Sequence, residues 1–159
     1  MNTEHTAAHA IHTINFAKKF SLFTEQWAPK VVAEMNDYQF KIVRLQGDFI
    51  WHAHASTDET FIVLEGVLRI DLRDGHVLVS QGEMVVVPKG VEHKPSAEGE
   101  VKLLLIEPRG VLNTGEEEAS ELTAVNDVWI CHRPAHRHCL AIYPCVLSIG
   151  RFGETCVQT

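Results

Sequence analysis

The chain has 159 residues, 45% of them hydrophobic and 22% charged, with a formal net charge of −7 at pH 7. That length suits one domain with a real hydrophobic core, while the acidic balance excludes the basic stripe of a nucleic-acid surface. No apolar run reaches the ~18–20 residues that cross a bilayer, and the N-terminus (Met1-Asn-Thr-Glu-His-Thr) lacks the basic and apolar regions of a secretory signal. A cytoplasmic protein with a small-molecule ligand, no nucleic acid and no membrane partner is therefore expected.

Residues 1–29 read as an N-terminal arm. It is polar at first, then weakly amphipathic through Ile11, Ile14, Phe16 and Phe20, with a short helix predicted over Ser21–Trp27 that Pro29 stops. From residue 30 to residue 108 the texture changes to short apolar runs divided by Gly, Pro, Asn and Asp. Strands are predicted at Val31–Met35, Tyr38–Leu45, Phe49–His54, Thr60–Leu64, Val67–Leu72, His76–Ser80, Met84–Val87 and Val101–Ile106. Turns at intervals of roughly 8–12 residues and an excess of β-branched and aromatic residues define an all-β sandwich or barrel.

Two patterns sharpen this. Leu68, Ile70 and Leu72 alternate with Arg69, Asp71 and Arg73, a strand with one wet face, and it runs into the hairpin signal Asp74-Gly75. By contrast Phe61–Leu64, Val85–Val87 and Leu103–Ile106 are apolar on both faces. They require a covering layer, most simply a second subunit of a homodimer, with a helix from residues 11–27 folding back as the alternative.

Residues 109–130, rich in Gly, Asn, Glu and Thr, read as an edge loop, and residues 131–159 as an irregular Cys/His-rich tail. All four cysteines (Cys131, Cys139, Cys145, Cys156) lie in that tail, which excludes a disulfide framework for the main domain. With His132, His136 and His138 they match no zinc spacing. His5, His9 and His12 read as a solvated face, and His76 as a strand residue after the Asp-Gly turn.

The chemistry concentrates in two stretches, Gly47–Gly66 and Gly82–His93. In an extended strand alternate side chains share a face, so His52 and His54 project one way while Trp51 and Ala53 project the other. Glu59 opens the next apolar run, and His93 follows the turn Pro88-Lys-Gly90. By alternation Phe61 and Val63 share the interior with Glu59, and Met84 and Val86 are expected beside them. Three imidazoles and one carboxylate, each at a strand end, have the makings of a metal site.

These stretches resemble the two signature motifs of the cupin superfamily. His52-Ala-His54, four residues, Glu59, six residues and Gly66 fit the first; Gly82, Pro88, Gly90 and His93 fit the second. The resemblance covers roughly residues 30–108. Two departures exist: Gly47 precedes His52 by four residues where five is usual, and Ala97 stands where Asn is common. The resemblance implies a double-stranded β-helix (jelly-roll) barrel holding one divalent ion (Fe, Mn, Ni or Zn) through His52, His54, Glu59 and His93.

Four protein ligands in an octahedral site leave two positions for water, dioxygen or a chelating substrate, unlike a closed structural zinc site. An apolar cavity around them suits a small, partly apolar chelating ligand. Arg44 and Lys41 are the only strand cations whose facing is open, which weakens a sugar-phosphate isomerase. Glu83 and Glu92 are assigned no role, and no catalytic residue is named. Three activities are compatible with the motifs: a metal-dependent oxidoreductase of the dioxygenase type, a Lewis-acid isomerase, and a metal-dependent binding module without turnover.

Overall fold

A computed structural model describes residues 12–130 apart from 116 and 118. His5, His9 and the tail residues Cys131, His132, His136, His138, Cys139, Cys145 and Cys156 lie outside the described residues.

One short helix precedes seven strands: α1 (Phe16–Phe20), β1 (Lys30–Met35), β2 (Tyr38–Asp48), β3 (Glu59–Glu65), β4 (Val67–Leu72), β5 (Gly75–Ser80), β6 (Met84–Val87) and β7 (His93–Pro108). All pairings between strands are antiparallel. The all-β architecture expected from the spacing of turns is present. The long strand β7 is its organiser, pairing along its length with β4, β3 and β2. The β4–β5 hairpin sits where Asp74-Gly75 places it, with Leu72 opposite Gly75 and His76 on the exposed side.

The helix lies earlier than Ser21–Trp27. Asn15 caps it, its side chain accepting from the Lys18 amide at 2.9 Å. The chain then leaves helical geometry, and Trp27 adopts a left-handed φ of 57°. The run Phe49–His54 is not a regular strand either; it is extended and held at intervals. Phe49 N donates to Pro95 O (2.9 Å), and His52 and His93 exchange both backbone hydrogen bonds (3.0 and 2.9 Å).

The barrel interior is filled by Val43, Leu45, Phe61, Val63, Leu68, Ile70, Val79, Val87, Ala97, Val101, Leu103 and Leu105. A second cluster lies outside the sheet, where Phe20 and Phe23 pack with Val32, Ile42 and Leu104, flanked by Ile62, Leu64 and Ile130. The covering layer over β2, β7 and β3 is thus supplied in part by α1 and the residues after it. Arg44 belongs to this outer side, donating to the Phe20 and Phe23 carbonyls at 2.8 and 3.1 Å.

Met84 and Val86 do not face the cavity. They are 58% and 46% exposed, and Val85 and Val87 point inward instead. The register fixes this phase: Glu59 pairs with Val87 and Phe61 with Val85, so the inward residues of β3 bring the odd-numbered residues of β6 with them. Four consecutive apolar residues contain no alternation from which to read it.

Candidate metal centre

The two motif stretches are stitched together by backbone contacts. Gly90 N donates to His54 O at 2.8 Å, and Lys89 N donates to Asp58 Oδ1 at 2.9 Å. With the His52–His93 pair, these bonds bring the ends of both motifs to one end of the barrel. His52, His54, Glu59 and His93 are all buried there. Trp51 turns outward, as expected, and lies under the Arg73 guanidinium at 3.9 Å. Glu92 pairs with Arg73 at 2.6 Å, and Glu83 caps the Ser80 amide at 2.7 Å, so both carboxylates are occupied away from the centre.

The imidazoles are oriented by their own backbone. His52 Nδ1 lies 3.1 Å from Ile50 O and His93 Nδ1 3.0 Å from Val91 O. A carbonyl only accepts, so each Nδ1 carries a proton, and in the neutral ring Nε2 is left as a lone pair. In that neutral ring His93 Nε2 faces Glu59 Oε2 at 3.2 Å, acceptor against acceptor. Such a contact needs a proton or a metal cation between its two atoms. The donor set therefore fits a cation. His54 Nε2 approaches the same Glu59 oxygen at 3.3 Å but makes no hydrogen bond.

One donor atom each from His52, Glu59 and His93 lie within 4.8 Å of one another. A second such group consists of His54, Glu59 and Glu107. Glu59 belongs to both. His54 stands to one side of the compact triad and shares that side with Glu107, a residue the motifs do not include. Glu107 continues the inward phase of Leu103 and Leu105 along β7. It stands opposite Glu59, one step beyond the registered pair Thr60–Ile106. Its sequence signal is weak: a carboxylate closing an apolar run just before Pro108.

Electrostatics follow from burial. Desolvation lowers the His52 pKa to about 4, and His93 adds to the effect. For His54 burial works downward, yet the Glu59 carboxylate outweighs it and the pKa rises. Burial opposes ionisation of Glu59, but His54 and His93 hold it below the usual carboxylate range. Glu107 is pushed up, first by burial and then by the charge of Glu59, with Lys41 opposing. Lys41 is the inward strand cation left open by the sequence. It is fully committed, 2.9 Å from Glu107 Oε1 and 3.3 Å from both Val111 O and Asn126 Oδ1.

A cavity beside the cluster is lined by Trp27, Val43, Leu45, Phe49, Phe61, Pro95, Leu103, Leu105 and Asn113, with His52 and Glu59 on its wall. Trp27 stacks on Phe49 at 4.8 Å, and Phe49 meets His52 edge-on at 5.2 Å, so the aromatic wall also supports a member of the cluster. Asn113 ties the edge loop over it, donating to Trp27 O and Leu122 O. Motif spacing carries no trace of Trp27 and Asn113, which arrive from outside the strands that bear the motifs.

Fold and cluster together define a small antiparallel β-barrel with an inward set of histidines and carboxylates at one end. A family model, the cupin domain, matches residues 41–107. A cupin-2 domain protein of Shewanella frigidimarina is 60% identical, with a TM-score of 0.60 over 60% of this chain and 94% of that one. Protein NMB1881 of Neisseria meningitidis is 37% identical, with a TM-score of 0.57 over 61% of this chain and 99% of that one. The Bacillus subtilis (strain 168) protein YdbB is 37% identical over 71 residues, 44% of this chain and 63% of its own length. The chain thus spans less than two thirds of that relative. It belongs to the cupin family.

Proposed function

We propose that the protein holds one divalent metal ion through His52, His54, Glu59 and His93 and uses it on a small chelating organic ligand, as a metal-dependent oxidoreductase of the dioxygenase type. The observation that carries this reading is the Glu59–His93 contact, in which a carboxylate oxygen and an imidazole nitrogen lie 3.2 Å apart in a buried site and need a proton or a metal cation between them. A bound ion supplies Lewis acidity there and, when redox-active, one-electron chemistry. The chain's own residues do the rest. The Ile50 and Val91 carbonyls aim the two imidazoles, and the aromatic wall from Trp27 to Phe49 excludes water from the ligand.

Among the described residues lining the apolar cavity, only His52 and Glu59 have titratable side chains, and both are proposed ligands. That disfavours an isomerase, which needs a separate group to move a proton. It also supports the alternative reading, a metal-dependent binding module without turnover. Exposed Leu78, Met84 and Val86 favour a homodimer over a monomer. No helix among the described residues is long and apolar enough to cross a membrane, and a cytoplasmic location is part of the same proposal.

Elemental analysis of purified wild type beside His52→Ala and His93→Ala tests the site. Metal in the wild type and its loss from both variants is expected; equal content in all three overturns the assignment. Oxygen uptake by the iron-loaded protein with catechols or diketones separates the oxidoreductase from the binder.

A further inference from the structure

We propose that Glu107 is a fifth protein donor to the metal centre, so that the ion is held by three imidazoles and two carboxylates. The inference deepens the metal-binding reading above and rests on it. It starts from the position of His54. The donors of His52, Glu59 and His93 form one compact group, whereas His54 groups with Glu59 and Glu107. His54 and Glu107 are each within 4.8 Å of Glu59, the residue common to both groups. Donors on a common ion with bonds of roughly 2.0–2.2 Å are at most about 4.4 Å apart. The donor atoms of His54, Glu59 and Glu107 lie within 4.8 Å of one another, so a closure of a few tenths of an ångström brings all three to a common ion.

Two buried atoms point to a ligand that the protein itself does not supply. Glu107 is 1% exposed, yet its Oε2 has no hydrogen-bond partner, and His54 Nε2, in a residue 6% exposed, has only the Glu59 oxygen at 3.3 Å and no hydrogen bond. Leaving such atoms unsatisfied is costly. A carboxylate serving only as the counter-charge of Lys41 has no reason to face a second carboxylate. Here Oε1 is anchored by Lys41 at 2.9 Å, which fixes the group, while Oε2 has no hydrogen-bond partner. A divalent cation neutralises the charges of Glu59 and Glu107 together and gives both Glu107 Oε2 and His54 Nε2 a partner.

Two consequences follow. Two hard oxygen donors shift the preference of the site toward Mn and Fe and away from Cu. With five protein donors an octahedral ion keeps one open position, so an exogenous ligand binds through a single atom or displaces Glu107.

The test uses Mn²⁺ as the probe on the full chain, with affinity from calorimetry and bound water from proton relaxation. Glu107→Gln, which keeps the volume and an oxygen for Lys41, is expected to weaken Mn²⁺ binding at least about tenfold and to raise the water relaxation of the bound ion. Glu107→Asp, which keeps the charge beside Lys41 but withdraws the carboxylate from the centre, is expected to do the same and serves if the first variant does not fold. Unchanged affinity and relaxation in a folded variant overturn the fifth donor and leave the four-residue site standing. Weaker binding with unchanged relaxation also overturns it, because Glu107 then acts only through its charge. A wild type that binds no Mn²⁺, Fe²⁺, Co²⁺ or Zn²⁺ overturns the metal-binding reading as well.

Discussion

His52 and His93, one from each motif, exchange both backbone hydrogen bonds and hold their ring centroids 4.2 Å apart. Each also directs Nδ1 at the carbonyl two residues before it. The same local device occurs twice, and it sets the tautomer before any ion arrives. In metal-free protein at pH 8, long-range ¹H–¹⁵N NMR is expected to show Nδ1 protonated and Nε2 bare in both rings. An Nε2–H tautomer at His93 would remove the acceptor-to-acceptor contact with Glu59, and with it the case that the cluster fits a cation.

Burial of His52 makes the metal-free fold sensitive to acid. Its pKa is lowered from 6.5 to about 4, so between those values the unfolded chain takes up a proton that the native state refuses. Stability falls as pH drops through that window, by up to about 3 kcal/mol for the full shift. His54 has the opposite sign: its raised pKa contributes below 6.5 and is lost as pH rises through the folded value. Urea unfolding of metal-free wild type and His52→Asn from pH 7 to pH 4.5 isolates the His52 contribution. The gap between them should shrink steadily toward acid, and a constant gap would show that His52 is not held neutral.

The barrel was legible because turn residues and alternation agree along most of it. The β4–β5 hairpin falls on Asp74-Gly75, and Glu59, Phe61 and Val63 face inward as alternation requires. His52 and His54 share an interior for a different reason from the one their spacing suggests. Their segment is extended but almost unpaired, and its facing is imposed by bonds to Pro95, His93 and Gly90. Where a run is uniformly apolar, as at Met84–Val87, phase is not encoded locally and only the register with β3 sets it. The place of Glu107 is legible only from strand pairing, since nothing adjacent in sequence marks it as facing Glu59.

Glycines near the site separate conformational strain from collision. A Cβ at Gly115 (φ 61°) would run into the Ala53 carbonyl beside His54, and one at Gly66 (φ 88°) would sit 2.9 Å from Glu100 O. At Gly82 (φ 83°) the space is open. Gly82→Ala should cost only the left-handed penalty, about 1 kcal/mol. Gly66→Ala should cost more, about 1–3 kcal/mol. Gly115→Ala should in addition weaken metal binding, since the edge loop must move off the His52–His54 segment. Denaturant unfolding and metal titration of the three variants check the order; equal costs at Gly66 and Gly82 would remove the collision.

The Lys41–Glu107 pair is nearly inaccessible to solvent at 2.9 Å, and its energetics differ from those of the surface pairs. Exposed pairs such as Arg69–Asp71 contribute little, because solvent screens both ends. In the interior, removing one partner strands a charge with no water to solvate it. Lys41→Met leaves the buried Glu107 without its counter-charge beside Glu59, and a loss of about 3–5 kcal/mol is expected. The double variant Lys41→Met, Glu107→Leu discards both charges and fills their volume, so most of that loss should return. If the pair is purely structural, the double variant regains stability and binds metal as wild type does. If Glu107 also serves the ion, stability recovers while Mn²⁺ affinity does not, and a double-mutant cycle read in both quantities distinguishes the two.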